Sequence, residues 1–220
     1  MTQKLTILFD LDGTLVDTAP DLMGAHNHVM KKFGYPQKKL EDIKNIAGRG
    51  AWIMMQRTFR DEIKDEKLKK EMVKEFIDYY AKNIDKASKP IKGVIDFLNW
   101  AKSKQILMGV CTNKQERLAI DLLKKINLFQ YFEYVAGCDT FEFNKPDPRH
   151  LTNVIEIIGG DLNKSIMVGD SEVDSLSAHS ARIPFILVEE GYTEKNTNEI
   201  PHKTLIKDFS NFEKIIKDYL

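Results

Sequence analysis

The sequence predicts an α/β fold, a doubly wound parallel sheet with a Rossmann-like core and a small all-helical cap inserted after the first strand. Three observations predict it. Short apolar runs such as Leu5–Phe9 look like strands buried on both faces. Helical periodicities separate the later runs. Residues 18–87 hold helix patterns and no convincing strand.

Taken in order, the first run ends at two carboxylates, Asp10 and Asp12, followed by Gly13. Thr18-Ala19-Pro20-Asp21 then resembles a capping box with Thr18 as N-cap. Leu22, Val29 and Phe33 share one face of the helix that follows, and Lys31, Lys32, Gly34 and Pro36 end it. A second helix is expected over Leu40–Ala47, closed by Gly48-Arg49-Gly50. A third begins near Ala51, and a fourth carries Leu68, Met72, Phe76 and Tyr79 or Tyr80. The chain returns near Ser88-Lys89-Pro90. An insertion of this length far exceeds an ordinary βα loop of ~2–6 residues. It reads as a cap (18–87) on a core made of residues 1–17 and 88–220. Strands are then expected over Ile106–Cys111, Tyr134–Ala136, Ser165–Val168 and Phe185–Val188. Leu118, Leu122 and Ile126, and later Leu151, Val154 or Ile155 and Ile158, mark intervening helices.

Composition narrows the function. Lys plus Arg and Asp plus Glu both number 33, so there is no basic excess of the kind a nucleic-acid binder shows. No run approaches the ~18 apolar residues of a membrane span. Met1 leads almost directly into a strand, without a signal-peptide pattern. Cys111 and Cys138 lie in apolar stretches, which suits core thiols and a cytoplasmic location better than a disulfide. Oligomeric state is left open between monomer and homodimer.

In a parallel sheet the C-terminal strand ends share one edge, where open α/β sheets bind ligands. Asp10 and Asp12, Thr112-Asn113, Lys145 in Lys-Pro-Asp-Pro, and Gly169-Asp170 with Asp174 all fall at or just after such ends. Carboxylates gathered there repel one another unless a cation neutralises them. Oxygen ligands without a His or Cys cluster point to a hard ion, and Mg²⁺ suits a few carboxylates plus water. Mg²⁺ beside a lysine attracts a phosphoryl group, and a carboxylate can attack phosphorus. Asp10 and Asp12 would point opposite ways in a regular strand, but Gly13 lets the backbone turn and bring both to one centre.

"DLDGTLVD", "TN" at 112–113, Lys145 in "KPDP" and "GDSEVD" at 169–174 together resemble the haloacid dehalogenase superfamily of phosphatases, in its motif order and over essentially the whole chain. "TNK" at 112–114, "GRGA" at 48–51 and "GY" at 191–192 are similar to its phosphoglycolate phosphatase branch. The resemblance implies Asp10 as nucleophile, and Asp12 as general acid and then base. It implies Mg²⁺ held by Asp10, the backbone carbonyl of Asp12, and Asp170. Thr112 and the amide of Asn113 would hold phosphoryl oxygens, Lys145 would neutralise charge, and Asp174 would orient Lys145 or a metal-bound water. The substrate would be a small phosphorylated metabolite, 2-phosphoglycolate first.

Other readings stay beside these. Thr112 also suits a helix N-cap, and Asp17 and Asp147 read as structural. Arg49, between two glycines, would meet a substrate carboxylate if it faces the core, or is a surface residue in a turn. Tyr79, Tyr80, Phe76 and Trp52 read as cap core. His26 and His28 lie on different helix faces and make a poor metal pair. Arg182, where the family usually has glycine, is expected in a left-handed C-cap. A sugar-phosphate phosphatase or mutase, a phosphonatase, or a pyrophosphatase would use the same fold. A phospho-accepting signalling module would need neither the cap nor Asp12.

Overall fold

Alternation within the first strand decides the layering. In the computed structural model, which describes residues 4–48, 50–59 and 63–219, Ile7 and Phe9 enter one apolar cluster and Leu8 the other, on opposite faces of the sheet. All three are fully buried, each contributing about 1.5–3 kcal/mol. The same alternation recurs at Ile166, Met167 and Val168, and at Ile186, Leu187 and Val188.

In chain order, β1 (Thr6–Phe9) and β2 (Val16–Asp17) precede α1 (Ala19–Phe33), a 3₁₀ helix over Leu40–Asn45, α2 (Ala51–Phe59) and α3 (Glu66–Lys82). Then come β3 (Lys89–Pro90), α4 (Val94–Ser103), β4 (Leu107–Cys111), α5 (Glu116–Lys125) and β5 (Tyr134–Ala136). The chain closes with α6 (Arg149–Ile157), β6 (Ser165–Gly169), α7 (Glu172–Ala181), β7 (Phe185–Val188), β8 (Thr204–Ile206) and α8 (Phe212–Ile216). Six strands form one sheet in the order β5-β4-β1-β6-β7-β8, every pair parallel. The order reverses between β1 and β6, the switch point at which such sheets open a crevice. Asp10 follows β1 and Asp170 follows β6, so both flank it.

The insertion after the first strand is helical, as expected. The antiparallel pair β2–β3 forms its stem, with Val16 opposite Pro90 and Asp17 opposite Lys89. α3 packs against α1 and α2, and its buried Met72, Phe76 and Tyr80 join the same cluster as Phe9. Asp65 caps α3 by accepting from the amides of Lys67 and Leu68. Gly34, at φ 78°, ends α1 in the left-handed region. Among the described residues no helix is long and apolar enough to cross a membrane.

Three local expectations are corrected. Leu40–Asn45 is a 3₁₀ helix rather than an α-helix. Thr18 is the N-cap of α1 but makes no side-chain cap bond, and its hydroxyl donates to Asp12 Oδ1 at 2.7 Å instead. Its supposed partner Asp21 accepts from the amides of Ala87 and Ser88 and from Ser88 Oγ, pinning the start of α1 to the return of the chain. Trp52 is 37% exposed and not part of the cap core. Arg182 does take the left-handed conformation, at φ 58° and ψ 35°.

Candidate active site

The segment after β1 builds the first wall. Asp10 extends the ladder by one bond, its amide donating to Val168 O at 2.9 Å. The chain then folds back, with the amides of Leu15 and Val16 donating to Leu11 O and Gly13 at φ 78°. A Cβ at Gly13 would lie 2.5 Å from Asp170 Oδ2, so close approach to that carboxylate demands glycine as much as the turn does. The Asp12 side chain turns to Lys114, whose Nζ donates to Oδ1 at 2.6 Å and Oδ2 at 2.7 Å.

At the switch point Asp10, Asp170 and Asp174 each offer an oxygen, and the three lie within 4.8 Å of one another. All are buried. Lys145 stands among them, its Nζ donating to Asp174 Oδ1 at 2.5 Å and lying 2.9 Å from Asp10 Oδ1. That second approach is a charge pair outside hydrogen-bonding angles, so Asp10 Oδ1 is a buried oxygen with no donor. Asp174 is fixed through Oδ2, which accepts from Ser171 N at 3.1 Å and Ser171 Oγ at 2.7 Å. Asp170 Oδ2 accepts from Tyr192 N at 2.5 Å. A Cβ at Gly191 would lie 2.1 Å from Asp170 Cβ, so the Gly-Tyr pair fits around this one carboxylate.

Three buried acids against one lysine leave negative charge uncompensated. Burial pushes the Asp10 carboxyl up to about 6, helped by Asp174 and Asp12 and opposed by Lys145. Burial, then Asp10 and Asp174, raise Asp170 well above the carboxylate range. Burial disfavours charge on Lys145, but Asp10 and Asp174 outweigh it and hold the ammonium protonated. An oxygen-only donor set with excess negative charge fits a hard divalent cation. Asp174 completes this cluster with its carboxylate, whereas the Asp12 carboxylate belongs to Lys114.

Thr112 and Asn113 follow β4 and are buried beside these acids. Thr112 Oγ1 accepts from Lys114 N at 3.2 Å, while α5 begins only at Glu116 with Gln115 as its N-cap. Asn113 Nδ2 donates to Lys145 O at 3.2 Å. Asp10, Asp12, Thr112 and Asn113 line one cavity of about 50 Å³ between sheet and cap. Arg49 lies outside the described residues, although its neighbours Gly48 and Gly50 line that cavity. Asp17 and Asp147 take structural partners, Asp17 the Tyr192 hydroxyl and Asp147 Arg149.

Sequence reasoning passed over two residues here. Lys114, in "TNK", takes its side-chain partner far off in sequence, being buried against Asp12, 102 positions away. Tyr192 lies in "GY", and its hydroxyl takes the place that the Asp21 side chain would hold in a capping box, as acceptor for the Thr18 amide. It accepts from the amides of Thr18 at 2.7 Å and Ala19 at 2.8 Å and donates to Asp17 Oδ1 at 2.7 Å. Those two motif fragments were the available signal.

Residues 7–188 match the sequence model of a family described as haloacid dehalogenase-like hydrolase. The chain is similar to a phosphoglycolate phosphatase of Agrobacterium fabrum, 40% identical over 216 residues spanning 95% of this chain and 93% of the relative. A phosphoglycolate phosphatase of Caulobacter vibrioides is 38% identical over 211 residues, spanning 95% and 89%. The crystal structure of a predicted phosphoglycolate phosphatase from Haemophilus somnus superposes with a TM-score of 0.91 at 27% identity, covering 98% of this chain and 99% of that one.

Proposed function

The chain belongs to the haloacid dehalogenase-like hydrolases and is a phosphatase, and from that premise we propose a Mg²⁺-dependent phosphomonoesterase for small phosphorylated acids. The first substrate is 2-phosphoglycolate, the substrate in the names of the relatives. The observation that carries this reading is the convergence of Asp10, Asp170, Asp174 and Lys145 in one buried cluster at the switch point.

Asp10 attacks phosphorus. An oxygen–phosphorus bond forms to its carboxylate, the ester bond breaks, and the leaving oxygen takes a proton from Asp12, which enters the cycle in its acid form. The pairing of both Asp12 oxygens with Lys114 is the state after that proton has left. Water then attacks the phosphoaspartate and gives its proton to Asp12, which releases phosphate and restores Asp10. Thr112 and Asn113 hold phosphoryl oxygens, and Lys145, positioned by Asp174, offsets the charge they share with Asp10. Mg²⁺, held by Asp10, the backbone carbonyl of Asp12 and Asp170, would supply further positive charge to the phosphoryl oxygens. The groups must act jointly. Uncatalysed monoester hydrolysis leaves accelerations of up to ~10²¹ to explain, and a positioned acid–base supplies roughly 10²–10⁴.

Residues 18–87 act as a cap over a core of residues 1–17 and 88–220, excluding water when closed. Two free cysteines suit a cytoplasmic setting. Phosphate release from a panel of small monoesters, with Mg²⁺ and with a chelator, tests the reading. Metal-dependent release with the highest kcat/KM for 2-phosphoglycolate is expected. Release indifferent to chelation, or none from any monoester, overturns it.

A further inference from the structure

Within the cavity, one cation remains that the phosphoryl chemistry does not use. Lys114 has a side chain only 5% exposed, and among the described lining residues it is the sole positive charge. An ammonium has three N–H donors. Asp12 takes two of them through its two oxygens, and the face of the Tyr80 ring lies 4.8 Å from the nitrogen. Tyr80 supplies a second, independent observation. It lines the same cavity, is almost fully buried, and its hydroxyl has no hydrogen-bond partner. A buried hydroxyl without a partner has room to donate to a group that enters the site. The rest of the wall is mostly apolar, with Leu22, Met54, Phe76 and Leu118, and Gln115 adds one uncharged amide.

We infer that Lys114 Nζ and the Tyr80 hydroxyl form an anion subsite that reads a carboxylate on the alcohol part of the phosphomonoester. The inference rests on the phosphatase reading above and adds the group that selects the substrate. A carboxylate suits the pair, because it carries one charge and accepts from two donors at once.

Steady-state kinetics on three esters of equal length tests this: 2-phosphoglycolate, 2-hydroxyethyl phosphate and 2-aminoethyl phosphate. The wild type is expected to favour the carboxylate over the neutral ester by about 10²-fold in kcat/KM, the cationic ester being poorest. Lys114→Met should compress that preference to within roughly threefold, and Lys114→Arg should restore most of it. Tyr80→Phe, which keeps the ring, should lower the preference by about fivefold, chiefly through KM. An equal loss on all three esters in Lys114→Met would mean that Lys114 only holds Asp12, and overturns the subsite. A preference kept in Lys114→Met and lost in Arg49→Met overturns it too, as does a wild type that hydrolyses all three alike. Phosphate release from none of the three removes the phosphatase reading itself, and the subsite with it.

Discussion

At the C-terminal edge of the sheet, where Asp10 lines the cavity, Asp10, Asp170, Asp174 and Lys145 are each no more than 7% exposed and gather around ion pairs of 2.5–2.9 Å. On the helical side, Leu22, Met54 and Phe76 present carbon, and the Tyr80 hydroxyl has no partner. The sheet side concentrates charge where charge is costly, with two carboxyls pushed upward by burial. The helical side leaves polar capacity unspent. The first arrangement suits a fixed reaction at phosphorus. The second suits a surface that selects what is brought there.

That contrast breaks most sharply at Asp10. If the sheet side supplies the nucleophile, Asp10→Asn should lower kcat by on the order of 10⁵-fold, measured as phosphate release. A loss below about tenfold would reduce the acid cluster to structure. Metal removal gives the next largest effect. Uncompensated carboxylates should bind Mg²⁺ in the fold alone, so about a hundredfold excess over Kd adds ~2.7 kcal/mol. By calorimetry that raises Tm by about 5–10 °C over chelated protein. No shift would separate the acids from any metal role.

A residue behind the sheet edge sharpens the comparison by pH. His150 is fully buried, with Nε2 3.1 Å from Gly137 O and Nδ1 without a partner. Burial pushes its pKa down to about 4. The unfolded chain takes up the proton near pH 6.5 and the fold only near 4, so this group's stability is present above 6.5 and lost as pH falls through that window. Asp10, raised by burial, contributes with the opposite sign. Comparison with His150→Gln therefore isolates the histidine, and the variant should lose about 2 kcal/mol less than wild type between pH 7 and pH 5 in urea titrations. The smallest effect is at the stem. Tyr192→Phe removes the hydroxyl that caps α1 and should destabilise by about 1 kcal/mol in the same titrations.

Legibility in the sequence followed the range of the interaction. Strands β1, β4, β6 and β7 were readable because each is a continuous apolar run buried on both faces. Asp10, Thr112 and Asp170 were readable because each directly follows a parallel strand, which fixes where its side chain emerges, whereas Lys145 lies nine positions beyond Ala136, the end of β5, and was reached through its motif. β8 was missed, for its three residues keep only Ile206 buried, and so was the short α8. The capping box at Thr18 does not form because the Thr18 amide finds its acceptor in Tyr192, 174 positions away, and the Thr18 hydroxyl donates to Asp12. Local sequence carries no trace of such a partner. Trp52 was misread because hydrophobicity alone cannot tell which face of α2 turns to solvent.

The most direct measurement is acid-quenched mass spectrometry of the enzyme during turnover of 2-phosphoglycolate with Mg²⁺. The predicted result is one added phosphoryl group, mapped to the peptide that carries Asp10 and absent from Asp10→Asn. Turnover with a phosphoryl group on any other residue would contradict it.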